Sequence, residues 1–127
     1  MQPITPPPRR NQLPVIQKLV AAYKLWHALV QNFRRTSRYT LGAKIDSLLL
    51  EVIENTVAAS YLPIHEKSSV LAKSISKLDF VKFFLEVAWE IKELDSKKYI
   101  AVSEKLDEAG RMLGGWKKGL EKKTLAQ

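Results

Sequence analysis

The chain has 127 residues, 46% of them hydrophobic and 27% charged, and a formal net charge of +8. That length supports one domain around one core, and the absence of cysteine excludes disulfides, thiolate metal sites and a cysteine nucleophile. No run reaches the length of a membrane span and none of the secretory type opens the sequence, so a soluble, cytoplasmic protein is expected.

Residues 1–12 hold four of the six prolines and predict a flexible, partly extended arm that carries Arg9 and Arg10. Pro14 suits the first turn of a helix. Beyond it Ile16, Leu19, Tyr23, Trp26, Val30 and Phe33 recur in steps of three and four, the seam of a first helix that should end in Arg34-Arg35. Thr36 or Ser37 can cap a second helix, in which Leu41, Ile45, Leu48, Leu49, Val52 and Ile53 face inward and Lys44, Ser47, Glu51 and Asn55 face out. Pro63 stops it. A third helix begins between Ile64 and Ser69 and runs to about Leu94. Asp95 or Ser96 then caps a fourth, with a seam of Tyr99, Val102, Leu106, Ala109, Leu113, Trp116 and Leu120.

Four amphipathic helices with short connections, and no strand-like alternation, predict an all-α, up-down-up-down four-helix bundle over residues 13–120, followed by a Lys-rich tail at 121–127. This topology puts the first turn, with Arg34, Arg35 and Arg38, at one end, and the proline arm and the Lys-rich C-terminus at the other. The third helix is too apolar for one seam. Phe80, Phe83, Phe84, Val87, Trp89 and Ile91 cover a wider arc than a bundle helix buries, so self-association is expected.

The positive charge is segregated. The first acidic residue is Asp46, and eight Lys and Arg precede it; residues 46–116 hold nine basic and twelve acidic side chains; the excess returns with Lys117, Lys118, Lys122 and Lys123. Clustered cations of this kind bind a polyanion by releasing its condensed counterions. Arg34 and Arg35, at a helix C-terminus, would also complement the helix dipole. Arg38 and Lys44, in the first turns of the next helix, would not, and the folded chain gains nothing obvious from them. They point to an external anion, with Tyr39 and Phe33 near enough to stack on a base, although a buried seam position is the commoner use of Phe33.

No catalytic set assembles. His27 and His65 lack the helical spacings of metal ligands, and Ser37, His27 and Asp46 have no sequence reason to meet. Glu86, Glu90 and Glu93 form an acidic stripe, but Lys82 stands four residues before Glu86, as in an ordinary solvated ion pair. No glycine loop is built to cradle phosphate. The protein is not expected to be an enzyme or to carry a metal or cofactor.

Gly110, Gly114 and Gly115 lie inside the fourth helix, where each costs about 1 kcal/mol relative to alanine. Gly110 and Gly114 share a stripe, which predicts a close neighbour there, and Trp116 continues the seam as a plug at the bundle end. The segment Glu108-Ala109-Gly110-Arg111-Met112-Leu113-Gly114-Gly115-Trp116 resembles the C-terminal helix motif of the accessory variability determinant (Avd) proteins, which are encoded beside the reverse transcriptase of diversity-generating retroelements. The likeness extends to Arg38-Tyr39-Thr40-Leu41-Gly42 and to the helix order from Leu13 to Trp116. It implies a basic, barrel-shaped homopentamer that binds RNA and DNA, associates with the reverse transcriptase of its own element and supports mutagenic cDNA synthesis without catalysing it. The motif marks Gly110, Arg111, Gly114 and Trp116. Charge alone nominates Arg34, Arg35, Arg38, Lys44, Arg111, Lys117 and Lys118 as contacts to nucleic acid or partner. A stand-alone RNA-binding protein of the ribosomal intervening-sequence type shares the bundle and the opening of the second helix, and is the alternative reading.

Overall fold

The computed structural model describes residues 13–126; the proline-rich arm, with Arg9 and Arg10, lies outside them. Four long helices, α1 (Pro14–Val30), α3 (Ala43–Tyr61), α4 (Ile64–Glu90) and α5 (Ser96–Ala126), form the bundle. A single turn, α2 (Arg35–Ser37), and a π-helical stretch, Arg38–Gly42, lead into α3 without a break. Each long helix packs on its chain neighbour, and α1 closes the ring against α5. The order is the expected up-down-up-down one, and among the described residues there is no strand.

Local chemistry sets most of the helix ends. Pro14 opens α1 at its first turn. Leu62, which precedes Pro63, is extended, as a residue before proline prefers, and α3 ends there. Asp95 caps α5 by accepting the Lys98 backbone N–H at 2.8 Å. At the end of α3, Lys67 Nζ donates to the Ala59 carbonyl at 2.7 Å, a second donor beside the Leu62 N–H at 3.4 Å.

The seams read from the sequence form the core. Leu19 and Trp26 of α1, Ile45, Leu49 and Val52 of α3, Leu71, Leu78 and Leu85 of α4, and Leu106 and Leu113 of α5 are all essentially inaccessible. Tyr99 and Trp116 are only half-buried at the seam's edge. One buried polar contact interrupts the apolar interior between α3 and α4. The Thr56 and Ser74 hydroxyls lie 3.1 Å apart, and both reach the Val52 carbonyl, so neither is left unsatisfied.

Three boundaries differ from expectation. Helix α1 ends at Val30, not at Arg34-Arg35, because Phe33 turns back into the core and meets Trp26 edge to face at 5.5 Å. Neither Thr36 nor Ser37 caps the next helix; Arg34 is its N-cap residue, and α2 starts at Arg35. Helix α4 stops at Glu90, where Lys92 takes a left-handed conformation (φ 67°) and the Glu93 N–H returns to the Ala88 carbonyl. That reversal lets Leu94 drop into the core. Asn55 also departs from its outward assignment, since its Nδ2 is buried and has no hydrogen-bond partner among the described residues.

Candidate nucleic-acid interface

The turn after α1 and the turn after α4 stand side by side at one end of the bundle. They are joined by Arg34, whose guanidinium pairs with Glu93 and also donates to the Ile91 carbonyl at 3.0 Å. The Arg34 backbone N–H reaches the same carboxylate at 2.7 Å. The Glu93 side chain is 2% exposed while that of Arg34 is 70% exposed. The contact thus anchors one turn on the other and leaves part of a cation facing solvent.

Arg38 also works inside the protein. Its Nη2 donates to the carbonyls of Gln31 and Phe33 at 3.2 and 3.1 Å, and its Nε is buried without a partner among the described residues. The guanidinium holds the α1–α2 turn by taking two carbonyls that no helix satisfies. This corrects the expectation that the fold gains nothing from Arg38. The dipole argument for Arg34 and Arg35 is also corrected, because both lie at the start of a helical run, where a cation is disfavoured.

The remaining nominated residues fall into two groups. Arg35 and Lys44 are exposed and form no ion pair among the described residues, and Tyr39 is exposed beside them in sequence. Along α5, Arg111 and Lys118 are exposed without an ion pair, whereas Lys117 pairs with Glu121. Lys92 and Lys97 are two further exposed lysines, carried at or beside the α4–α5 turn, that the charge segregation along the chain does not single out. Lys92 in the 91–95 connection and Lys97 just after it were legible as loop-end lysines. The acidic stripe on α4 dissolves: Lys82 bridges to Asp107 of α5 at 3.2 Å and not to Glu86, and Glu93 belongs to Arg34.

The motif glycines also separate. A Cβ on Gly110 would lie 3.1 Å from Lys82 Nζ and 3.5 Å from Leu78, so α4 approaches α5 closely there, as expected. Gly114 and Gly115 face open space within the protomer, which overturns the expected close neighbour at Gly114. The tight glycine is Gly42, where a Cβ would come 3.0 Å from Val30 Cγ2 and 3.4 Å from the Ser37 carbonyl. It lets the π-helical stretch lie against α1.

Asp46 lies half-buried between α1 and α3, accepting the Tyr23 hydroxyl at 2.9 Å and the Trp26 indole N–H at 3.1 Å. Burial, and then the hydrogen bond and charge of Asp46, push the Tyr23 phenol above 10. This contact ties α1 to α3 and uses Asp46 structurally, away from any triad. Among the described residues no group of three or more His, Asp or Glu side chains is placed to hold a metal ion, and no helix is long and apolar enough to cross a membrane.

The sequence model of the bAvd-like family matches residues 14–120, from the first residue of α1 to the last buried residue of α5. The chain belongs to the bAvd-like family. No curated protein matches it. The matched span includes the Arg38–Gly42 stretch and the segment from Gly110 to Trp116, the two regions on which the resemblance to the Avd proteins rests. An Avd-type accessory protein is therefore the assignment that the family supports.

Proposed function

We propose that this chain is a non-catalytic accessory protein that binds RNA and DNA and associates with the reverse transcriptase of a diversity-generating retroelement. The observation that most supports the nucleic-acid part is the state of Arg35 and Lys44. Both are exposed and unpaired among the described residues, and Arg35 stands at a helix start, where the dipole opposes it. An external polyanion would relieve that arrangement. The exposed part of Arg34, with Lys92 and Lys97, extends the same basic end, and Arg111 and Lys118 offer a second set along α5.

Self-assembly belongs to the same reading. Phe80 and Phe83 on α4 remain 55% and 58% exposed, with Trp89 and Ile91 further along, an apolar surface that a lone protomer leaves in water. We propose that it is covered in a homo-oligomer, a pentamer as the resemblance implies. Repeating the basic end around such a ring raises avidity without any new contact.

The test is the double charge reversal Arg35→Glu and Lys44→Glu, which spares the internal contacts of Arg34 and Arg38. Anisotropy titrations with a fluorescein-labelled single-stranded RNA over a series of salt concentrations should show weaker binding for every sequence tried. The slope of log affinity against log salt should flatten by about 1.4, from roughly 0.7 per phosphate contact. Unchanged affinity and slope would make these residues ordinary solvated surface. For the polymerase, co-purification with the element's reverse transcriptase after nuclease treatment is expected. Full template-primed cDNA synthesis without this protein would remove the accessory role.

A further inference from the structure

The motif residue Trp116 has no place in the basic end, since it lies at the opposite end of the bundle. There the start of α1, the α3–α4 turn and the later part of α5 enclose a cleft of about 500 Å³. Its walls are apolar: Leu13 and Val15 on one side, Ile64 on another, and Met112, Trp116 and Leu120 from α5. Among the described residues, the charged side chains that line it are Lys67 and Lys123. Lys67 is held in position, its Nζ donating to the Ala59 carbonyl at 2.7 Å and lying 6.0 Å from the centre of the Trp116 ring. An ammonium has three hydrogens, so Lys67 keeps donors for an incoming acceptor. The nearest acid on that part of α5, Glu121, is already paired with Lys117.

We propose that this cleft is a docking site for an acidic amphipathic segment of a partner protein, with apolar side chains seated against Trp116 and Met112 and a carboxylate on Lys67 and Lys123. Charge complementarity selects the occupant: an apolar floor bordered by two ammonium groups and, among the described residues, by no carboxylate takes an apolar anchor next to an acid, and rejects a basic segment. The volume lies within the range of about 300–1,000 Å³ of ligand pockets, and the aromatic floor is the kind of surface that anchors a binding hot spot. Helix α5 runs on past Leu120 to Ala126 and leaves Leu125 exposed, so the cleft opens along a helix wall that a chain can follow. This inference is independent of nucleic-acid binding at the other end.

The experiment uses the full-length protein and a short fluorescein-labelled amphipathic peptide in which Leu and Trp alternate with Asp and Glu at helical spacing, beside a twin with every acid replaced by Lys. At physiological salt the acidic peptide should bind and the Lys twin should not. Lys67→Met, which keeps the stem and removes the charge, should weaken binding about tenfold, and Trp116→Ala should do at least as much. Lys97→Met, which removes the same charge at the far end, should leave it unchanged. If Trp116→Ala fails to fold by circular dichroism, Lys67→Met and Lys123→Met carry the test. Equal weakening by Lys67→Met and Lys97→Met would mean general attraction to a basic protein and would overturn the proposal. Binding that appears only after deletion of residues 1–12 would make the chain's own N-terminal segment the occupant, and laurate binding without peptide binding would assign the cleft to small amphiphiles. Either result also overturns it.

Discussion

The Glu93 carboxylate receives both the backbone N–H and the guanidinium of Arg34, joining two turns that lie 59 positions apart in the chain. One partner is buried and the other is mostly exposed, so the contact fixes the end of the bundle without withdrawing Arg34 from solvent. A cation that sequence reasoning offers to an external anion is thereby shared with an internal one.

Removing the buried member should be costly. Glu93→Ala strips a partner from the Arg34 N–H and guanidinium together, and should destabilise the protein by about 2 kcal/mol, below the 3–5 kcal/mol of a fully buried pair because Arg34 can turn to water. Urea unfolding followed by circular dichroism checks this. A loss under about 0.5 kcal/mol would reduce the contact to an ordinary surface ion pair.

Lys92 offers the opposite change. Its φ of 67° is left-handed, a conformation that costs a side-chain-bearing residue roughly 1 kcal/mol or more. Lys92→Gly should stabilise the fold by up to about 1 kcal/mol, read as a higher urea midpoint at unchanged slope.

The glycines should respond in contrary directions. Gly42→Ala puts a methyl group 3.0 Å from Val30 Cγ2, on a stiff β-branched side chain. It should destabilise by about 1–2 kcal/mol although alanine is the better helix former. Gly114→Ala meets nothing within 4 Å and should stabilise the protomer by up to about 1 kcal/mol. If light scattering also shows assembly lost in Gly114→Ala, this stripe of α5 lies at a subunit contact.

Tyr23 predicts an alkaline limit. Its folded pKa is raised by burial first and by Asp46 second, so the folded state holds the phenolic proton more tightly than the unfolded state, whose pKa is about 10. The stabilising contribution is complete below pH 10 and is lost as pH rises through the folded value. Tyr23→Phe should unfold at lower denaturant at neutral pH, having lost the bond to Asp46, but should show a smaller further loss above pH 10 than the wild type. Parallel pH profiles for the two proteins would exclude Tyr23 as the titrating group.

Light scattering at micromolar concentration should give a multiple of the 14.5 kDa protomer mass, and Phe80→Glu with Phe83→Glu should shift the protein toward that mass while the helical circular dichroism signal persists. A wild-type monomer would leave the exposed α4 surface to a different partner.

The chain by itself determined the four helices, their seams and the ends set by Pro14, Pro63 and Asp95. Those features are local: a period of 3.6 residues, the backbone limits of Pro63 and its predecessor, and the Asp95 cap each act within a few positions. The surplus of apolar side chains on α4 was legible for the same reason, because the arc a helix can bury follows from its spacing. Tertiary structure decided which charges are free. Arg34, Arg38 and Lys82 spend their donors on Glu93, on the Gln31 and Phe33 carbonyls and on Asp107, and Glu93 and Asp107 reach their partners only through the way the helices pack. The glycines divided on the same principle. Nothing in the sequence distinguishes Gly42, closed in by Val30, from Gly114, open to space, because the volume beside a Cα is set by whichever helix lies opposite it.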